Sequence, residues 1–150
     1  MYKLREIHLE EWSHLPGIQK IIQGEYPRRF ALLEGFNLPL GISWDSDLIE
    51  PTLLELKEQN LLLIGIDLYA IGISIKTEGI AFSMGLWDHF SFFDFNETSI
   101  SIVTETTITI LNSIGYSIRR LLTAPDIIVS VANKADGIYA ECLSGSFKIG

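Results

Sequence analysis

The chain has 150 residues, 47% hydrophobic and 11% aromatic, which is ample material for the core of one domain spanning 1–150 and excludes a disordered segment. Eleven Lys and Arg stand against nineteen Asp and Glu, a net charge of −8, and a surface of that sign repels phosphate, so no nucleic acid is expected as a partner. The most apolar run, Leu61 to Ile75, is shorter than the ~18 residues of a spanning helix and contains Asp67, so no membrane partner is expected either.

The opening MYKLREIHLEEW interleaves charged and apolar residues and has no signal-peptide core. Cys142 is the only cysteine, which rules out an intrachain disulfide and favours a reducing compartment. Together these features predict a soluble, cytoplasmic protein.

Tyr2 to Trp12 reads as a short edge strand or a helix entry. Ser13 or His14 can cap a helix through Ile22, with Ile18, Ile21 and Ile22 on one face and Gly24 as its stop. A second short helix is predicted after Pro27, with Phe30, Leu33 and Phe36 inward and Gly35 near its end. Asn37 to Trp44 carries Pro39 and Gly41 and reads as loop or edge strand. A third helix is predicted over 47–59, capped by Ser46 or Asp47, with Leu53, Leu54 and Leu56 on its apolar side.

Leu61 to Ile66 reads as a strand. From Leu68 to Trp87 bulky residues alternate with Gly, Ala and Ser on either side of Gly79, the period of a hairpin. A loop of two residues pairs Ile75 with Phe82 and Ile73 with Met84; one of four pairs Ile75 with Ile80. Both keep bulky residues opposite bulky ones. Phe90 to Phe95 reads as a strand whose Phe pairs switch face midway, which calls for a bulge, and Ser99 to Val103 as another.

Beyond Thr104, the residues Ile108, Leu111, Gly115, Ile118 and Leu122 recur at spacings of three and four. This predicts a helix over 104–122 covering the small-residue face of the hairpin, with Arg119 and Arg120 at its negative end. The tail pairs 126–132 with 138–143 around Asp136-Gly137. No internal repeat is evident. The predicted class is α+β: N-terminal helices, then an antiparallel sheet built around a central hairpin, with one covering helix.

Catalytic signatures are missing. His8 and His14 are not at the spacing of a helical zinc pair, and no HExxH, paired CxxC, Walker-A, GxGxxG or GxSxG pattern occurs. Asp45-Ser46-Asp47 lacks the Gly and Glu of a calcium loop. No catalytic residue, metal or cofactor is therefore assigned. His89 beside Asp88, or a carboxylate pair, would be the chemistry of a hydrolase.

The charge is unevenly distributed. No Lys or Arg lies between Thr77 and Ile118, where Glu78, Asp88, Asp94, Glu97 and Glu105 fall, and a second acidic segment runs from Asp45 to Glu58. Trp87 and four phenylalanines, Phe90, Phe92, Phe93 and Phe95, sit among the first set. They belong either to a strand buried on both faces or to an interface with aromatic centre and charged rim.

The stretch GIAFSMGLWDHFSFFDF, followed by IRRLL and IIVSV, resembles small acidic bacterial immunity proteins of polymorphic or contact-dependent toxin systems, with Trp87, His89 and Phe90 as the W-x-x-H-F-like element, one residue shorter than usual. The resemblance covers about 62–130. It implies a non-enzymatic inhibitor that occludes a cognate basic toxin domain, and Trp87, Asp88, Asp94 and Glu97 are the candidate contact residues. A small-molecule pocket between the sheet and 104–122, a hydrolase, and a homodimer are the alternatives.

Overall fold

A computed structural model describes residues 1–150. Fifteen strands and one five-residue helix form four sheets. The first combines β1 (Lys3–Ile7), β2 (Lys20–Ile22), β3 (Arg29–Glu34) and β4 (Leu40–Trp44) in the order β1-β3-β4-β2, with α1 (Leu9–Ser13) between β1 and β2. The second is the meander β5 (Thr52–Leu56), β6 (Leu61–Ile66), β7 (Tyr69–Ser74), β8 (Ile80–Gly85). The third is the meander β9 (Phe90–Phe95), β10 (Ser99–Thr104), β11 (Thr107–Asn112), β12 (Ile118–Thr123). The fourth is β13 (Ile128–Lys134), β14 (Gly137–Cys142), β15 (Gly145–Lys148).

The protein is therefore nearly all β, and the α+β expectation is corrected. The segment predicted as a helix ending at Ile22 supplies β2, which joins β4 in parallel. Gly17, at φ +76, breaks the chain ahead of it. The helix expected after Pro27 is β3, whose Ala31 and Leu33 face one core while Phe30 and Leu32 face another. A strand apolar on both faces shows no alternation to read. Asn37 to Trp44, expected as loop or edge, contains the fully buried interior strand β4. Gly41 there leaves room for the Trp12 ring, 2.9 Å from where a Cβ would stand.

Thr52–Leu56 pairs with β6 instead of forming the third helix. Its Leu and Glu are good helix formers, but the pairing with β6 and packing of Leu53, Leu54 and Leu56 decide the outcome. The covering helix is absent: 107–112 and 118–123 are two strands joined by a turn in which Gly115 and Tyr116 adopt positive φ (+79 and 57). Thr-Ile-Thr-Ile already alternates at period two. A turn of five residues between two strands mimicked the helical spacing.

Sheet stacking follows from which residues share a face. Leu62, Ile64, Ile66, Ile71 and Ile73 of the second sheet pack on Ala31, Leu33, Ile42 and Trp44 of the first. The opposite face, with Leu61, Leu63 and Ala70, meets Ile100, Ile102 and Leu111 of the third. Val103, Ile108, Ile110 and Leu122 turn the other way, onto Ile128 and Ala140 of the fourth sheet. The outermost faces differ: Trp12 of α1 covers Phe30 and Leu32, whereas the far side of the fourth sheet is polar, with Ser146 Oγ donating to Glu141 and Lys134 over the Tyr139 ring.

The last three sheets are a repeat that sequence comparison of the chain with itself does not reveal. β5, β9 and β13 begin at 52, 90 and 128, a constant step of 38 residues, and β6, β10 and β14 begin at 61, 99 and 137. The same backbone bonds recur at that step. Phe90 N–H donates to Asp67 O and Ile128 N–H to Glu105 O; Glu105 N–H donates to His89 O and Leu143 N–H to Ile127 O. Between the second and third sheets the identities include only Ile64/Ile102, Ile80/Ile118 and Asp88/Asp126. Register and turn length repeat while side chains diverge, so the period is geometric.

The central hairpin is present, but its register is not the expected one. Gly72 lies opposite Phe82, Ala70 opposite Met84 and Ile73 opposite Ile80, with a bulge between Gly72 and Ile73. Bulky residues thus face small ones along the pair, except at Ile73 and Ile80 beside the turn. Glu78 (φ 61) takes the left-handed position in the turn that Gly79 was expected to fill. The reason is that the sheet is buried on both sides: a Cβ on Gly72 would run into the Phe82 ring, and one on Gly65 into the Phe90 ring. The bulge expected in Phe90 to Phe95 is found. It falls opposite Val103/Thr104 and turns Phe90 beside Phe93 (centroids 4.6 Å apart), while Phe92 points to the fourth sheet.

Gly65→Ala should therefore destabilise the fold by ~1–3 kcal/mol through overpacking against Phe90. Combined with Phe90→Leu, the loss should be less than the sum of the two single losses in urea unfolding. Strict additivity would mean that the ring does not occupy the space above Gly65.

Candidate interaction surface

In a meander, alternate turns come to opposite ends of the sheet. One end collects Asp67-Leu68, Leu86 to His89, Glu105-Thr106 and Ala124 to Ile127 from the last three sheets, and Gln23 to Arg28 and Asp45 to Pro51 from the first. Glu25, Asp45, Asp47, Glu50, Asp67, Asp88, Glu105 and Asp126 are all on these loops. The basic residues near them are already engaged. Arg28 Nη1 meets Asp47 Oδ2 at 2.7 Å, and Arg29 bridges Glu6 and Glu50, both at 2.6 Å. Hydrogen bonds with Glu6, then Glu50, hold the Arg29 guanidinium charged far above its ordinary range, and the bond to Arg29 holds Glu6 below the usual carboxylate range. The opposite end mixes Lys57, Lys76 and Lys134 with Glu58, Glu78, Glu97 and Asp136.

Three of the carboxylates hold the loops in place. Asp67, buried, accepts from the Asp45 and Ser46 N–H groups at 2.8 and 3.3 Å, tying the second sheet to the first. Asp88 accepts from Thr106 N–H (2.8 Å), Thr106 Oγ1 (2.7 Å) and Thr107 Oγ1 (3.3 Å). Asp126, one step of the repeat later, accepts from Ser144 N–H at 2.9 Å and from Ile127 N–H at 2.7 Å. Thr106 and Ser144 are themselves one step apart, so the clasp repeats with its fold.

Burial opposes the charge on Asp88, but the hydroxyls of Thr104, Thr106 and Thr107 and the Thr106 N–H outweigh it, leaving its carboxyl below the ordinary pKa. The hydroxyl and N–H of Ser144 and the Ile127 N–H do the same for Asp126. Asp45, half-buried, accepts from the Tyr26 N–H at 3.2 Å, Asp47 and Glu50 are held by the arginines, and Glu25 and Asp45 line a cleft of about 340 Å³ with Ser46, Asp67, Tyr69 and His89. His89 Nδ1 lies 3.7 Å from Glu105 Oε1. No group of three or more His, Cys, Asp or Glu is placed to hold a metal ion.

Trp87 stands at the edge of this acidic end and is 86% exposed. It rims a groove of about 110 Å³ with Met84, Leu86, Thr109, Ile118 and Leu121. Of the four residues predicted from sequence, Trp87 and Asp88 are neighbours here, with Asp88 committed to the Thr106 clasp. Asp94, half-buried, accepts from the Phe95 N–H, and Glu97 is in the β9–β10 turn at the other end, ~20 Å away along β9. The structure does not bring the four together.

Sequence reading missed that Asp45, Asp47 and Glu105 share an end with Trp87, while Glu58, from the same acidic segment as Asp45, does not. Recognising a meander would have shown it, because every second turn returns to one end. The small face of the hairpin, expected as a pocket floor, is filled by Phe82 and Phe90.

Compared with known proteins, the chain matches no protein-family model and no curated relative. No helix is long and apolar enough to cross a membrane. The helix that the W-x-x-H-F-like pattern places before the V-S strand is replaced by β11 and β12.

The clasp has a pH signature. A carboxylate whose pKa is depressed by folding adds stability that is fully present above its unfolded value, ~3.9, and is lost as pH falls through the folded value. Asp88→Ala should cost ~2 kcal/mol at pH 7, the worth of hydrogen bonds to a charged group. In urea unfolding the gap from wild type should shrink at pH 3 and below. A gap independent of pH would show that the charge on Asp88 does not matter.

Proposed function

We propose that the protein is a non-enzymatic binding protein whose acidic end masks a basic protein surface, the mode in which an immunity-type inhibitor would occlude a cognate toxin domain. One observation carries this reading: the turns of four sheets place their carboxylates at the same end as the most exposed aromatic ring, Trp87, while the nearby arginines are neutralised internally. Such a surface steers a basic partner toward it, and a Trp anchor supplies the desolvated contact that charges alone do not. The exposed carboxylates of Glu25 and Glu105, with the half-buried Asp45, whose Oδ1 also accepts from the Tyr26 N–H, would pair with the partner's Lys and Arg, and Asp88 would act by holding Trp87 and the β10–β11 turn in position.

The other readings have less support. The groove beside Trp87 is smaller than the ~300–1,000 Å³ of small-molecule sites, the cleft of about 340 Å³ at the acidic end reaches that range but is lined mainly by polar and charged residues where such sites are mostly apolar, and His89 faces Glu105 in a half-exposed pair without a nucleophile. A lone, partly buried Cys142, its thiol pushed up by burial and by Asp126, suits the cytoplasm.

Reversing charge at the two ends separates this reading from generic acidity. Asp45→Lys/Glu105→Lys should weaken capture of a basic partner at least tenfold, whereas Glu58→Lys/Glu97→Lys, with the same change in net charge, should weaken it less than threefold. Capture by the tagged variants, followed by titration of the recovered protein, measures both. Equal losses would assign the effect to net charge and remove the acidic end as the site.

A further inference from the structure

β8 and β12 are edge strands of two stacked sheets, each with an unpaired outer edge, and the Trp87 groove lies between the end of β8 and the face of β11 and β12. β12 is the more exposed: Ile118 is 61% and Leu121 52% accessible, and Arg119 and Arg120 lie between them. The charge pattern of this edge is the reverse of the molecule's. Neither β8 nor β12 contains a carboxylate. Arg5, Arg28 and Arg29 are all paired with carboxylates, whereas Arg119 and Arg120 have none within ion-pair distance; Arg120 lies against Gly150 on the side of the fourth sheet, which leaves Arg119 as the cation without a neighbour of its own. The helix end that would have accounted for two adjacent arginines does not exist.

We propose that the edge of β12, with the groove beside it, is a docking site for an extended acidic peptide segment carrying one apolar anchor. The free backbone of β12 pairs with the segment as an added strand, the mode by which sheet edges capture extended peptides. The bulge at Ile110/Leu111 sets Arg119 out of register, which leaves Arg120 to Thr123 as the regular pairing stretch opposite Thr107 to Ile110. The groove, about 110 Å³, takes a single side chain between Met84, Trp87 and Leu121. The Arg119 guanidinium selects a carboxylate on the segment.

Charge also decides against a second copy as occupant. Antiparallel pairing of two β12 strands would bring two Arg119-Arg120 pairs onto one strand pair, and like charges across strands are destabilising.

Trp87 reports the event. Trp12 and Trp44 are buried, so a change in emission on binding comes from Trp87. The probe is a short capped peptide alternating glutamate with leucine and valine, with a lysine-for-glutamate version as its counterpart. The expected result is a saturable blue shift with the acidic peptide and none with the basic one. Arg119→Glu should weaken binding at least tenfold without moving the unfolding midpoint, and Leu121→Ser should do so at unchanged charge. Four results would each overturn the proposal: no saturable binding of the acidic peptide, equal binding of the basic one, indifference to the arginine reversal, or a dimer by sedimentation that Ile118→Lys dissolves. Trp87 belongs to both surfaces, but the arginine reversal leaves Asp45 and Glu105 untouched, so that variant separates failure of this proposal from failure of the acidic end.

Discussion

The structure depends on aromatic rings seated over residues with almost no side chain. Gly65, Ala70 and Gly72 form a floor on one face of the second sheet, and Phe82, Phe90 and Phe93 lie against it from the same sheet and the next. Each ring buries on the order of 150–250 Å², which a floor of valines or leucines would not admit at this sheet separation. The other face carries the Ile-rich core against the first sheet, so β6 and β7 are buried on both sides. The hairpin register that sets small opposite bulky is a consequence of that two-sided burial.

Once the second sheet is fixed in this way, the third and fourth follow at a constant step. Their backbone bonds to the preceding sheet are the same ones displaced along the chain, and the carboxylate clasps at Asp88 and Asp126 sit at matching positions. A stack of meanders also sorts its turns. Charges far apart in sequence come to one end because alternate turns do, which is how Asp45, Asp67 and Glu105 come to share a surface with Trp87. The acidic end is a product of topology more than of any local motif.

Several elements were legible beforehand. The strand at 61–66 showed as an apolar run, the central hairpin as a period-two pattern, the strands at 90–95 and 99–103 as short strand-like segments, and the tail hairpin by its Asp136-Gly137 turn. The bulge in Phe90 to Phe95 was readable because its phenylalanines cannot all face one way. The other strands failed for two physical reasons. β3 and β4 are apolar on both faces, and β5 is rich in Leu and Glu, so neither periodicity nor propensity marks them as strands. In 104–122 the sum of two strands and a tight turn imitates a helical stripe. Of the candidate contact residues, Trp87 and Asp88 are neighbours at one end, but Asp94 and Glu97 were grouped with them because sequence distance hides which end of a strand a residue occupies.

The most direct test of the acidic-end account is amide hydrogen exchange on the complex with the basic protein that the chain captures. The account predicts added protection at 45–49, 67–68, 86–89 and 105–106, with 57–60, 96–98 and 135–136 unchanged. Protection confined to that second set of turns, or spread evenly over both ends, would contradict it.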